Sequence, residues 1–218
     1  AWSYTALTGF ENCPHRHWRT KVVKDIADPP GDAALFGQRA HKALENRVKN
    51  KTPLPESMKH YEPYCKRFEG VPGQVVVEHQ IALNKQLKPT SWFAKDAWCR
   101  GVIDVGVVSG KKALMGDWKT GKRKPDSEQM MLFAGLGFIA YPQVNIVDTA
   151  FLWLPDKKVD RETFKREDAV DIWGTFLPRV KRMEMAYNDG PDAHPKKPSG
   201  LCRAYCPVFD CEFNGRKR

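Results

Sequence analysis

Asp117 and Lys119 stand two positions apart in the run LMGDWKTGK, Leu114 to Lys122, between an apolar approach and a glycine. On an extended strand a carboxylate and an amine at that spacing share one face, because side chains alternate with period two. Such a pair suits metal-assisted hydrolysis of a phosphodiester. The carboxylate holds a divalent cation, and the amine orients or deprotonates the attacking water and stabilises developing charge. The spacing alone decides nothing, because Asp156 and Lys158 repeat it at the end of another apolar run. A second carboxylate is needed, and Asp104 in RGVIDVG is the candidate. Two neighbouring carboxylates on a half-buried sheet repel each other unless a cation joins them. Oxygen ligands of this kind suit Mg2+ or Mn2+. The plainer alternative is a pair of solvent-facing strand carboxylates.

These residues need a hairpin to meet. Apolar runs flank SGKK, and a two-residue loop of Gly110 and Lys111, glycine first, suits a type II′ turn. That loop pairs Ser109 with Lys112 and sets Asp104 opposite Asp117; a loop of Ser109 and Gly110 moves the two acids to a diagonal. Both registers predict Asp104, Asp117 and Lys119 on one face, with Trp118 pointing away. QVVVEHQIAL before the hairpin reads as a strand, with Glu78 in its middle. A carboxylate among valines is unusual for a buried position, and the strand's solvated face is the plainer place for it.

Helices and a further strand surround the hairpin. Ser3 caps a short helix through TALTGFENC, which Pro14 ends. A helix from about Ala33 to Lys49 repeats Phe36, Ala40, Leu44 and Val48 at helical spacing and carries His41. A histidine so placed is more often packed or half exposed than a ligand. KTPLPESMKHYEPY reads as a proline-broken connector. Asp126 begins the next helix, with Gln129 as its capping-box partner, and the helix runs through QMMLFAGLGFIAY to Pro142. NIVDTAFLWL follows as a strand, and the order strand, helix, strand predicts a crossover to a parallel neighbour. A helix from about Glu167 to Tyr187, bent at Pro178, comes last. The expected fold is a single α/β domain over residues 1–218, with a mixed central sheet and helices on its faces.

Lys and Arg number 36 against 26 Asp and Glu, a net charge of +10, which favours a polyanionic partner such as nucleic acid. Basic residues cluster at His15 to Lys21, Lys119 to Lys124, Lys196 with Lys197, and Arg216 to Arg218, with Trp18, Trp118 and Tyr205 among them. Aromatic residues within basic stretches suit grooves that track phosphates and stack bases. No run of ~18 apolar residues predicts a membrane span, and the first residues carry no secretory pattern. A cytoplasmic location is expected, the host cytoplasm if the source is viral. GVVSGKK is not a phosphate-binding loop, because only three residues separate its glycines. Six cysteines without a secretory signal argue against a disulfide framework. Cys202, Cys206 and Cys211 crowd one end of the chain, which points to metal or cluster ligation, while Cys65 and Cys99 read as bystanders.

LFGQRAHKALE, RGVIDVG, GDWKTGK and QMMLFA, in that order, resemble the motifs of PD-(D/E)xK nucleases, in particular RecB-type and viral or CRISPR-associated exonucleases. The resemblance spans about Ser3 to Cys211. It implies a restriction-endonuclease-like core over about residues 33–190. It implies a metal site of His41, Asp104, Asp117 and the Trp118 backbone carbonyl, with Lys119, Asp117, Asp104, Glu78 and Gln129 as catalytic residues. The helix motif of the family is Q-x-x-x-Y, and here Phe133 stands in the tyrosine position. Cys13, followed by proline, together with Cys202, Cys206 and Cys211, resembles the four-iron, four-sulfur staple of AddB-like and CRISPR-associated exonucleases. The middle cysteine is displaced by one position from the usual C-x2-C-x5-C spacing. The resemblance implies a 4Fe-4S cluster joining segments 1–20 and 195–213; zinc at the same cysteines, or free thiols, are the alternatives.

The function so implied is a metal-dependent DNA exonuclease that resects single- or double-stranded ends for phage-type recombination or repair. A single-strand annealing protein is the expected partner by analogy. A CRISPR spacer-processing nuclease, a structure-selective endonuclease and a non-catalytic DNA-binding module are the competing readings.

Overall fold

In a computed structural model of the chain, residues 1–124 and 127–216 are described. Asp126, expected to cap a helix, and the basic Lys217 and Arg218 lie outside the described residues. The helices are α1 (Tyr4–Asn12), α2 (Pro14–His17), α3 (Asp32–Asn50), α4 (Glu62–Lys66), α5 (Ser127–Ala140), α6 (Ala169–Asp189) and α7 (Gly200–Ala204). The strands are β1 (Gln74–Leu83), β2 (Pro89–Thr90), β3 (Cys99–Ser109), β4 (Lys112–Lys119), β5 (Ile146–Trp153) and β6 (Lys158–Lys165). The chain divides into two compact units: Ala1 with Pro30–Trp173, and Trp2–Pro29 with Gly174–Arg218.

The first unit is built on a six-stranded sheet in the order β2-β1-β3-β4-β5-β6. β3 and β4 form the hairpin, pairing Ser109 with Lys112 and Val105 with Gly116. Gly110 alone of the two loop residues has a positive φ, +54°, which a type II′ turn requires of its first residue. This is the register that sets Asp104 opposite Asp117. β4 and β5 are parallel, joined through α5 as the strand-helix-strand order predicts, and β6 returns antiparallel to β5.

One sheet face carries Val105, Val107, Leu114 and Trp118 into a core with Ala40, Leu44 and Val48 of α3. The proline-broken connector after α3 is a packed segment of short helical turns that adds Leu54, Met58, Tyr61, Tyr64, Cys65 and Phe68 to the same core. Phe68 meets Trp118 edge to face. Phe36 stays at the surface, 36% exposed. On the opposite face α5 lies so close to β4 that a Cβ at Gly137 would collide with Met115. The last carbonyls of α5 are orphan acceptors, and the Arg166 guanidinium donates to one of them, on Phe138, and to the Tyr141 and Val144 carbonyls just beyond the helix, a cation where the helix dipole is negative.

Side-chain alternation breaks at Glu78 and Asp104 in the β1–β3 ladder. Val77 packs into the α3 core, yet His79, of the same parity, reaches the Tyr141 hydroxyl just beyond α5 at 3.0 Å. The ladder pairs Val77 with Val105 and His79 with Ile103 and skips the pair between them. Glu78 sits there at φ +48°, a left-handed conformation costing a non-glycine residue about 1–3 kcal/mol and found most at functional sites. The strict period-two expectation is therefore corrected at this kink.

The second unit holds both terminal segments. Ser3 caps α1 by accepting from the Ala6 N–H. Pro14 does not simply end that helix: it opens α2 from its first turn, where its missing N–H costs nothing. Glu11 pairs with Arg179 at 2.7 Å, and Arg19 bridges Asp25 and Asp210. Phe10, His17, Tyr187 and His194 pack as a ring cluster, with His17 and Tyr187 stacked. Pro178 lies within α6. No described helix is long and apolar enough to cross a membrane.

Candidate metal and catalytic site

His41 on α3, Glu78 on β1 and Asp104 on β3 bring one ligand atom each within 4.8 Å of one another. Among the described residues this is the one group of three or more such side chains so gathered. His41 Nδ1 lies 3.3 Å from Asp104 Oδ2, and the same oxygen accepts the Trp118 backbone N–H at 2.8 Å. The two carboxylates are hard donors that suit Mg2+ or Mn2+, and the borderline imidazole nitrogen favours Mn2+ of the two.

Local structure explains the placement. Gly37 brings the start of α3 against the loop after β4, where a Cβ would lie 3.1 Å from Thr120 Oγ1. His41 follows one turn later, on the helix flank adjoining buried Ala40 and Leu44. The kink at Glu78 turns its carboxylate toward Asp104, and the two acids interact: burial first, then the Asp104 charge, pushes Glu78 above the ordinary carboxyl range. Burial opposes protonation of His41, but the hydrogen bond and charge of Asp104, the charge of Asp117 and the Trp118 main chain outweigh it and raise the imidazole pKa. Glu45, one turn beyond His41, pairs with Lys42 at 2.7 Å.

Asp117, Lys119 and Gln129 close a second set of contacts. Asp117 Oδ2 accepts from Lys119 Nζ and from Gln129 Nε2, both at 2.9 Å, and Lys119 Nζ also donates to Gln129 Oε1 at 2.8 Å. Burial, then the Asp104 charge, pushes Asp117 up to about 6. Phe151, beside Asp117 on β5, lies under the ammonium with its ring centroid 4.4 Å from Lys119 Nζ; no motif marks this aromatic, and its parallel pairing with Asp117 is the only cue. Asp117 stands outside the His41, Glu78 and Asp104 group. Phe133, one turn after Gln129, is buried, so a hydroxyl there would have to find a partner in the core. Asp156 and Lys158, the rival pair, are exposed around a turn.

With this geometry the comparison with known proteins is decisive. Residues 1–211 match the sequence profile of the PD-(D/E)XK nuclease superfamily. The chain belongs to that superfamily. A PD-(D/E)XK nuclease hydrolyses phosphodiester bonds and takes nucleic acid as its substrate. No curated protein matches the chain in sequence. The crystal structure of SSO0001 superposes with a TM-score of 0.54 at 13% identity, over 98% of this chain and 86% of that one, a likeness of fold. A candidate exonuclease from Eubacterium rectale gives a TM-score of 0.48 at 13% identity, over 99% of this chain and 87% of that one.

All six cysteines of this PD-(D/E)XK nuclease are free thiols. Cys65 and Cys99 are buried in the first unit, and burial pushes them up to about 11 and about 12. Cys13, Cys202, Cys206 and Cys211 all belong to the second unit. Their sulfurs are not drawn together: among the described residues no three cysteine sulfurs lie within 4.8 Å of one another. Burial raises the Cys206 thiol, and the charges of Cys202 and Cys13 add to the rise against the Val208 main chain and Arg16. Backbone N–H groups point at two of the sulfurs, from Arg16 to Cys13 at 3.5 Å and from Ser199 to Cys202 at 3.4 Å.

Proposed function

We propose that this chain is a divalent-metal-dependent DNA exonuclease acting on DNA ends, in recombination or repair of the phage type. One observation carries the reading. Three ligands from three separate elements meet at a strained kink, beside a lysine fixed by Asp117 and Gln129. A divalent cation held by His41, Glu78 and Asp104 would neutralise phosphate charge and acidify an attacking water. The Trp118 N–H holds Asp104 in place, and Trp118 offers its carbonyl as a further ligand. Gln129 presents Lys119 through its Oε1 and binds Asp117 through its Nε2. The Lys119 ammonium would donate to a non-bridging phosphate oxygen and stabilise its developing charge; only as the neutral amine, its proton first given up, could it take the proton of the water. Asp117 anchors that lysine and completes the cation's acidic surroundings.

The four cysteines of the second unit are proposed to hold a 4Fe-4S cluster, within a single nuclease domain whose terminal segments form the cysteine region. Four free thiols in one unit, two of them receiving backbone N–H groups, are the donor chemistry that thiolate ligation needs. Zinc is the alternative at the same thiols.

The test is digestion of end-labelled linear duplex, end-labelled single strand and covalently closed circle, each with Mg2+, Mn2+ or EDTA. Loss of linear substrate with an intact circle, abolished by EDTA, is expected. Cutting of the closed circle would establish an endonuclease, and DNA binding without cleavage in either metal would reduce the chain to a binding module.

A further inference from the structure

We infer that the sheet face of Val107 and Leu114 carries a pocket for the C-terminal residue of a partner protein, an aromatic side chain with its free α-carboxylate. A cavity of about 140 Å³ opens there, with Phe68, Leu114, Leu152 and Val159 in its walls and Arg67 and Arg161 among its lining. An apolar cavity of ~150 Å³ holds one benzene ring, so the space matches a phenyl group and is too short for a lipid chain. Its floor is buried, since Phe68 and Leu152 are 6% and 4% exposed, while both arginines are exposed.

The two guanidiniums define the second half of the ligand. Among the described residues neither Arg67 nor Arg161 pairs with a carboxylate; Arg67 rests only on the Tyr64 ring, 5.5 Å from its centroid. This contrasts with Arg47, Arg123 and Arg179 of the same chain, each tied to an acid. Two unpaired guanidiniums at the mouth of an apolar cavity fit a carboxylate one residue's length from an apolar group, and arginine binds carboxylates through paired N–H donors. A chain terminus places its carboxylate and its side chain on one Cα, which is that arrangement. An aromatic residue within a chain lacks the charge. A nucleobase has the flat apolar faces but brings polar edges, and the lining offers no polar side chain other than the arginines, so those edges would lose their hydrogen bonds on entering. The net charge of +10 favours an acidic tail over a basic one.

The test uses the full chain and a fluorescein-labelled octapeptide of acidic residues ending in phenylalanine, read by anisotropy. Saturable binding is expected. Amidating the peptide C-terminus, or replacing its phenylalanine with alanine, should weaken binding roughly tenfold or more, the worth of a charged hydrogen bond or a buried ring. Arg161→Gln changes an exposed side chain and should weaken binding on the same scale, and Val159→Phe should block the cavity. Both variants should keep wild-type nuclease activity on linear DNA, which also reports that they fold. Equal binding of free and amidated peptides, or undiminished binding by Val159→Phe, would overturn the pocket. Phenylpropionate binding as tightly as the peptide would assign the cavity to a small acid, and competition by deoxynucleoside monophosphates would assign it to nucleic acid; either result overturns the protein terminus as occupant.

Discussion

The backbone N–H of Trp118 donates to Asp104 Oδ2 at 2.8 Å, across the two strands whose acids flank the site. The bond fixes one carboxylate by the main chain of the strand that carries the other. It leaves Asp104 oriented toward His41 while Asp117 is engaged by Lys119 and Gln129. The two acids therefore have different work, and substitution should separate them.

Asp104→Asn removes a charge from the gathered ligand set. Cleavage should fall by at least ~10²-fold, the scale of losing one electrostatic stabiliser, and DNA binding should persist. Wild-type protein should gain thermal stability when Mn2+ is added, by about 2.7 kcal/mol at a hundredfold excess over its dissociation constant. That gain should vanish in Asp104→Asn. In Asp117→Asn the rate should fall as far, but part of the gain from Mn2+ should remain, because Asp117 stands outside the 4.8 Å group. Thermal melts with and without Mn2+ on both variants decide it; an Asp104→Asn protein that Mn2+ stabilises as well as wild type would refute the assignment.

Lys119→Ala should slow cleavage by roughly 10²–10⁴, typical of a positioned proton-transfer or charge-stabilising group, while stabilisation by Mn2+ survives. Lys158→Ala, in the exposed rival pair, should leave the rate unchanged. Single-turnover rates on end-labelled duplex compare the two, and the reverse outcome would move the site to Asp156 and Lys158.

The sequence narrows the hairpin to two registers, with Gly110 and Lys111 or Ser109 and Gly110 in the loop, and the observed pairing of Ser109 with Lys112 selects the first, which sets Asp104 opposite Asp117. His41 and Gln129 are different: nothing in their local spacing separates a ligand or a lysine anchor from an ordinary helix residue, and only the resemblance marked them. The prolines of the connector after α3 mark where it breaks but mask its part in the core, which Leu54, Met58 and Phe68 enter along short helical turns. β6 was missed because KVDRETFK shows a strand only through Val159 and Phe164; its other side chains are polar, and it is an edge strand. The kink at Glu78 has no sequence signature, since a left-handed glutamate is imposed by its surroundings against its own preference.

His17 makes stability depend on pH. Burial, with the charges of His194, Lys21 and Arg16, lowers its pKa from 6.5 to about 4, and its Nε2 meets the Tyr187 hydroxyl at 2.5 Å. In the unfolded chain the imidazole takes a proton below about pH 6.5, which the folded chain refuses until about pH 4. Its contribution is complete above pH 6.5 and declines as pH falls toward 4, with a slope of at most about 1.4 kcal/mol per pH unit. Urea unfolding at a series of pH values should show that decline, and His17→Gln should flatten it while lowering stability at pH 7.5. An unchanged slope in the variant would assign the decline to other groups.

The cysteines give the last prediction. Cys13 and the trio Cys202, Cys206 and Cys211 lie near opposite ends of the sequence but in one compact unit. No three of their sulfurs lie within 4.8 Å of one another, and ligands must be collected as a metal binds, so ligation and the ordering of these segments should be coupled. Protein purified without oxygen should be brown, with broad visible absorption that bleaches on reduction. Serine at any one of the four positions should lower iron content and solubility, and nuclease activity should fall in proportion to the folded fraction and not in the rate per folded molecule. Serine at Cys65 or Cys99 should leave iron content unchanged, because both thiols are buried in the other unit with pKa values pushed up to about 11 and about 12, unsuited to give thiolates. A colourless, active protein with one equivalent of zinc, lost on substitution of the same four cysteines, would reject the cluster and keep the four-thiol site. Full activity and solubility in all four serine variants, with neither iron nor zinc bound, would reject both metals at the cysteines and leave the His41, Glu78 and Asp104 group as the one candidate metal site among the described residues.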